Sequence, residues 1–312
     1  MEMMKAVRIH RFGGPEVLTY EDAPRPQIAS DELLVRVHGA GVNPVDWKIR
    51  EGRLQQFLQH KLPLILGWDF SGVVEEVGSA VEGFKVGDEV YARPDIRRDG
   101  AYAEFIAVRA REVALKPKTL DHIHAAAVPL ASITAWDALI KTARLEAGQR
   151  VLIHAAAGGV GHFAVQFARW RGAYVIGTAS AANHDLVREL GANEMIDYRA
   201  ERFEEKVKDV DVVFDTVGGD VQRRSWGVLK KGGMLVSIVD RPSEKTAEEY
   251  GVRAAYVFIE PDAEVLKQVA ELIDAGVVKP VVENIFALSE ARRAHELSQS
   301  GHVRGKIVLR VA

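Results

Sequence analysis

The stretch that most constrains this chain is RVLIHAAAGGVGHF, residues 150–163. A short apolar run enters a turn with almost no side chains, and AVQFARW then continues with helical spacing. Strand, small-residue turn and helix in that order open a βαβ unit. Ala155, Gly158 and Gly161 stand as A-x-x-G-x-x-G. A simple packing corner would also use glycines. The strand–turn–helix context favours a second use, in which an anion sits against backbone N–H groups at a helix N-terminus. A Cβ at Gly158 or Gly159 would hold such a ligand away, and Gly161 lets helix and strand pack closely. The turn from Ala155 through Val160 to Gly161 is therefore a candidate cradle for a dinucleotide pyrophosphate.

The rest of the chain supports that reading. After residue 150, RVLIHA, AYVIGT, EMID, DVVFD, MLVSIV and RAAYVFIE alternate with helical segments at 160–171, 183–190, 201–208, 219–230 and 262–275. Six strands with crossover helices predict a doubly wound parallel sheet. Residues 1–120 differ: KAVRIH, ELLVRVHGAGV, FSGVVEEVG, DEVYA and AEFIAV are short Val-rich runs punctuated by Gly, Pro and Asp. That rhythm predicts a barrel-like β unit. Between them lies an Ala-rich helical segment from 121 with a stop at Gly148. The C-terminal stretch is expected to hold a short helix and a closing strand that returns to the first domain.

The tip of the second strand distinguishes the nucleotides. An NAD site places Asp or Glu there for the ribose 2′-hydroxyl. Here the tip reads Gly177-Thr178-Ala179-Ser180, without an acid. Hydroxyls at Thr178 and Ser180 suit a 2′-phosphate, and Tyr198 and Arg199 at the end of strand three are placed to join them. NADPH is the expected cofactor. Ser180 also has the character of a helix N-cap.

Composition removes other classes. The 312 residues include no cysteine, which excludes disulfides, thiolate metal sites and a cysteine nucleophile. A net charge of −3 offers no basic field for nucleic acid or an anionic membrane. No leader-like apolar segment opens the chain and no apolar run reaches membrane-spanning length, so a cytoplasmic protein is expected.

RFGGPEVL (11–18), AGVNPVDWKIREG (40–52), GWDFSGVVEEVG (67–78), GAYAEF (100–105), AAVPLASITAWDAL (126–139), HAAAGGVG and RGKIVL (304–309) extend over nearly the whole chain. In these the sequence resembles the zinc-free quinone oxidoreductase branch of the medium-chain dehydrogenase/reductase superfamily. The resemblance implies an α/β fold. A GroES-like β-barrel domain (1–122 and 276–312) holds the substrate, and a Rossmann doubly wound six-stranded parallel sheet (123–275) holds the nucleotide. It implies hydride transfer from NADPH to a quinone, with reduction of the C=C bond of enones or enals, or a non-catalytic NADPH-binding sensor, as alternatives. It also implies a homodimer, paired along the RAAYVFIE edge.

Site residues follow from the same matches. Asn43 stands where the zinc branch has its first ligand cysteine, and Trp68 where that branch has the His of GHE. No metal is expected. Asn43, Asp46 and Trp47 are the candidate catalytic residues; Asp46 suits loop ordering, and Trp47 suits either an acceptor pocket or core. Trp68 and Asp69 are expected to shape the pocket floor, and Leu130 replaces a further ligand. Thr134, Val217, Gly218, Ile238, Val239, Phe258, Ile259 and Lys306 match positions near the cofactor, as does Asn43. Asn183 replaces a lysine common in relatives, with His184 beside it. His122 and His124 are expected at the surface.

Overall fold

The computed structural model describes residues 2–312 and divides into two compact units. One runs to Leu130 and adds Glu260–Gly276 and Pro280–Ala312; the other is Ala131–Ile259 with Val277–Lys279.

The first unit is the expected β domain. Its seven-stranded sheet has the order Val282–Ala287, Lys306–Arg310, Glu32–Val42, Phe70–Val77, Glu89–Ala92, Val113–Leu115, and Phe105–Arg109 also pairs with Glu32–Val42. A three-stranded sheet of Thr19–Pro24, Met3–Ile9 and Leu64–Ile65 completes it. Glu32–Val42 is buried along most of its eleven residues because it is paired on both sides and covered on both faces. Trp68, Phe70, Tyr102, Ile9 and Leu33 share one core. Gly72 permits the close approach of two strands, since a Cβ there would lie 2.1 Å from the carbonyl of Arg36.

The second unit has six parallel strands in the order Glu194–Asp197, Tyr174–Ala179, Arg150–Ile153, Val210–Asp215, Leu229–Ser237, Arg253–Tyr256. In sequence order this is 3-2-1-4-5-6, the doubly wound arrangement. Its strand order reverses between Arg150–Ile153 and Val210–Asp215, where ligands of such sheets bind. The helix Gly161–Trp170 buries Phe163, Val165 and Phe167, and Phe167 meets Trp136 edge to face.

Several sequence expectations are revised. The helix Ala263–Asp274 belongs to the first unit. Tyr91 donates its hydroxyl proton to the Leu266 carbonyl, and Asp274 accepts from the backbone N–H groups of Lys118 and Thr119. The segment expected as helix 219–230 ends as α-helix at Ser225. A 3-10 turn at Trp226–Val228 leads into a strand that starts at Leu229 and bulges around the left-handed Gly232. RAAYVFIE is a strand only through Tyr256, which leaves a four-residue sheet edge. The C-terminal segment contains an unexpected strand, Val282–Ala287, parallel to Lys306–Arg310.

The Gln166 side chain ties Val277–Lys279 to the second unit. The Gln166 amide donates to the His162 and Lys279 carbonyls and accepts from the Lys279 N–H. Replacing Gln166 by Leu strands both backbone groups of Lys279. It is expected to cost about 1–3 kcal/mol and to accelerate hydrogen exchange at the Lys279 amide. Unchanged melting and unchanged protection would contradict this role.

Candidate active site

In the second unit the glycine turn is built by buried hydroxyl and imidazole groups. Ala155 adopts φ = +47°, a left-handed conformation that glycine takes more easily. It is held there because its N–H donates to Thr178 Oγ1 at 3.2 Å. Thr178 Oγ1 in turn lies 3.2 Å from His154 Nδ1, and His154 Nε2 lies 3.0 Å from Ser225 Oγ. Ser225 donates its own proton to the Val221 carbonyl, so His154 must donate from Nε2 and accept at Nδ1. Burial lowers the His154 pKa to about 4, which keeps this ring neutral. At Gly161 a Cβ would fall 2.2 Å from the Ala155 carbonyl, so close helix–strand packing requires glycine. A Cβ on Gly158 would meet only Ala155 within 4 Å and otherwise enter open space in front of the turn. The residues therefore fit a cradle for a pyrophosphate.

The neighbouring strand ends surround that turn. Ser180 follows the strand Tyr174–Ala179, which pairs Ala179 with Asp197, so Ser180 and Tyr198 emerge side by side. Tyr198 is exposed and lies under the Arg199 guanidinium. Ser180 is half-buried and accepts from Asn183, and His184 lies 3.3 Å from the Ala179 carbonyl. No carboxylate stands at the end of that strand. Buried Asp215 shapes the next loop by accepting from the N–H groups of Val217 and Gly218 and from Gln222 and Ser237. Gly218 is left-handed, with Asp240 packed where a Cβ would sit. Val217 and Phe258 are exposed, Ile238 and Val239 half-buried, and Ile259 and Thr134 buried. Thr178 is a correction to the direct-contact reading: its hydroxyl is buried and already engaged in holding Ala155.

The first unit gathers a buried polar corner. Asn43 Nδ2 donates to Asp69 Oδ2 at 2.8 Å, and Lys306 donates to the Asn43 side-chain oxygen, to Asp69 Oδ2 (3.2 Å) and to the Val42 carbonyl. Leu130 N–H donates to Asp69 Oδ1 at 2.6 Å. Burial raises the Asp69 pKa, while Lys306, Asn43 and the Leu130 amide oppose the rise. Lys306 and Asn43 were expected to face the cofactor. The structure engages all three Lys306 N–H groups and both ends of the Asn43 amide in hydrogen bonds within the corner. Trp68 is core, fully buried, with its indole N–H on the Arg98 carbonyl. Trp47 is half-buried beneath the Arg53 guanidinium, and its indole nitrogen has no hydrogen-bond partner among the described residues.

Asp46, the third residue of the helix Pro44–Arg50, accepts at Oδ2 from the N–H of Asn43, which caps that helix. It also ends a chain that the sequence did not reveal. Arg50 Nη1 meets His295 Nδ1 at 3.0 Å, His295 Nε2 meets the Tyr102 hydroxyl at 3.2 Å, and Tyr102 donates to Asp46 at 2.8 Å. Arg50 can only donate, so the direction of every bond is set from that end. Burial, then the Arg50 charge, lowers the His295 pKa to about 3. Burial raises Asp46 to about 7, against the pull of Asn43, Tyr102 and Lys306.

Tyr102 lies in GAYAEF, Arg50 in AGVNPVDWKIREG, His154 in HAAAGGVG and Asp215 in DVVFD, but His295 lies outside every such motif. His122 corrects another expectation. It is half-buried, stacked on His38 at 4.5 Å and 2.8 Å from Ser71; His124 is half-buried too. Among the described residues no group of three or more His, Asp and Glu has metal-binding geometry. None of the described helices is long and apolar enough to cross a membrane.

This architecture is that of a medium-chain dehydrogenase/reductase, and the comparisons agree. The family model "Alcohol dehydrogenase GroES-like domain" matches residues 29–118, and "Zinc-binding dehydrogenase" matches residues 190–309. An Arabidopsis thaliana protein, "NADPH-dependent alkenal/one oxidoreductase, chloroplastic", is 36% identical over 98% of this chain and 79% of its own. The quinone oxidoreductase of Coxiella burnetii superposes with a TM-score of 0.94 at 38% identity, covering 100% of both chains. The Escherichia coli quinone oxidoreductase complexed with NADPH gives 0.90 at 31%, covering 98% of this chain and 100% of that one. The chain belongs to the quinone oxidoreductase-like members of that superfamily.

The raised pKa of Asp46 has a measurable consequence. Its carboxyl binds a proton more tightly folded than unfolded, so its contribution is full at acid pH and is lost as pH rises through about 7. Asp46→Asn keeps an acceptor for Asn43 and Tyr102 and removes the titration. The melting temperature of this variant, relative to the unaltered protein, should rise from pH 5 to about pH 7 and level off above it. A difference constant with pH would sink the assignment.

Proposed function

We propose that this protein is an NADPH-dependent oxidoreductase that reduces conjugated carbonyl compounds, with quinones as the first class of acceptor. The observation that carries this is the tip of the strand Tyr174–Ala179. It ends in Ser180 without a carboxylate and beside Tyr198, Arg199 and His184, next to the glycine turn. A carboxylate there would repel a 2′-phosphate; hydroxyl, phenol and guanidinium groups suit one.

When bound, the reduced nicotinamide would supply hydride, and the one proton needed would come from water. The protein's part is placement. Gly158, Gly159, Val160 and Gly161 receive the pyrophosphate; Ser180 and Tyr198 receive the 2′-phosphate. Val217, Gly218, Ile238, Val239, Phe258 and Ile259 offer apolar surface at the carboxyl edge of the sheet. In the β unit, Asn43, Asp69 and Lys306 fix the start of the helix Pro44–Arg50, which carries Asp46 and Trp47.

Reduction of the C=C bond of enones and enals is the second reading, supported by the Arabidopsis relative named for alkenals and alkenones. An acceptor panel separates the two: quinones give hydroquinones, enones give saturated carbonyl compounds. The cofactor assignment is tested by Ser180→Asp. It should lower kcat/KM for NADPH by on the order of 10²-fold and leave NADH much less affected. Equal effects on both nucleotides would remove Ser180 from the phosphate site.

A further inference from the structure

Arg93 follows the strand Glu89–Ala92 and is 1% exposed. Ala92 pairs with Phe70, so Arg93 lies in register beside Asp69 of the polar corner. Its Nε and Nη1 have no hydrogen-bond partner among the described residues. A buried guanidinium without an acceptor is costly, by several kcal/mol at about the scale of any unpaired buried charge.

Nearby carboxylates do not fill the gap. Glu260, Asp69, Asp95 and Glu112 are close enough to act on Arg93 electrostatically. Each already has another cation within 3.2 Å: Arg97 on Glu260 and Asp95, Arg109 on Asp95 and Glu112, and Lys306 on Asp69. Three of the four also line a cavity of about 340 Å³ in the β unit, together with Arg97, Arg109 and Arg111. Arg93 Nε and Nη1 therefore stay buried with no acceptor among the described residues.

We infer that Arg93 is a binding residue for an anionic oxygen on the acceptor, and that the acceptor class is a conjugated carbonyl compound carrying a carboxylate. The inference rests on the reading given under Proposed function, which supplies the conjugated carbonyl acceptor. The reaction itself is unchanged: the acceptor gains hydride and a proton, and NADPH is oxidised to NADP⁺. Arg93 takes no part in the electron count. It supplies two N–H donors and a charge already freed of water, so a carboxylate is recognised and a neutral substituent is not.

The test compares a carboxylated benzoquinone with its methyl ester, on the full chain and on Arg93→Met and Arg93→Lys. The unaltered protein should favour the acid in kcat/KM. Arg93→Met should reduce the acid-to-ester ratio by on the order of 10²-fold, and Arg93→Lys should keep part of it. Benzoate should raise the melting temperature of the unaltered protein but not that of Arg93→Met. A preference for the ester, or the same ratio in the parent and in Arg93→Met, overturns the inference. If Arg93→Met does not fold, benzoate and benzamide are compared as competitors of the acceptor on the unaltered protein, and equal competition overturns it. Absence of NADPH oxidation with either quinone would instead defeat the proposed function, and the benzoate shift would still judge Arg93.

Discussion

Lys306 and Asp69 lie 237 residues apart in sequence and meet at 3.2 Å in a space closed to solvent. The pair fastens the closing strand Lys306–Arg310 to the strand Glu32–Val42 and to the loop that begins at Asn43. Removing one partner would leave the other as an uncompensated buried charge, at a cost of about 3–5 kcal/mol. Asn43 and the Leu130 amide complete the shell of Asp69, so three distant parts of the chain are fixed by one carboxylate. The position of Asp46 and Trp47 depends on it.

Both units use a neutral histidine to transmit direction through hydrogen bonds. In one, Ser225 sets the tautomer of His154, which orients Thr178, which holds Ala155 left-handed at the head of the glycine turn. In the other, Arg50 sets the tautomer of His295, which orients Tyr102, which donates to Asp46. The two rings stay neutral because they are buried, with pKa values near 4 and 3. Such rings destabilise the fold as pH falls below their unfolded value, about 6.5. Asp46 acts in the opposite sense as pH rises. In each unit burial, more than neighbouring charge, sets the protonation of these groups.

The fold was legible where local periodicity carries it. Strand–helix alternation after residue 150 gave six strands, and the left-handed Ala155 lies where the A-x-x-G-x-x-G spacing departs from glycine. The strand Val282–Ala287 was missed because its pattern is half-buried and next to a helix; only pairing with Lys306–Arg310 defines it. Lys306 was read as a cofactor contact because its motif is informative but its partners are not local. Arg50, Tyr102 and His295 are separated by 52 and 193 residues, a distance no spacing rule covers. What stayed hidden was long-range polar pairing, where a residue's neighbours decide its role.

The corner also shows how two cations of one charge differ in chemistry. Lys306 sits against Asn43 and the Val42 carbonyl and is paired with Asp69. Its three donors are engaged, so it has none left to direct at an acceptor oxygen. Arg93, one residue past the strand that pairs beside Asp69, carries the same charge with two donors unengaged. A fixed cation with no remaining N–H stabilises the fold; a fixed cation with unengaged N–H groups selects a ligand, because only an incoming oxygen completes its hydrogen bonding. The division of labour follows from geometry: Lys306 points into a shell of three oxygens, and Arg93 is flanked by carboxylates that other cations already hold.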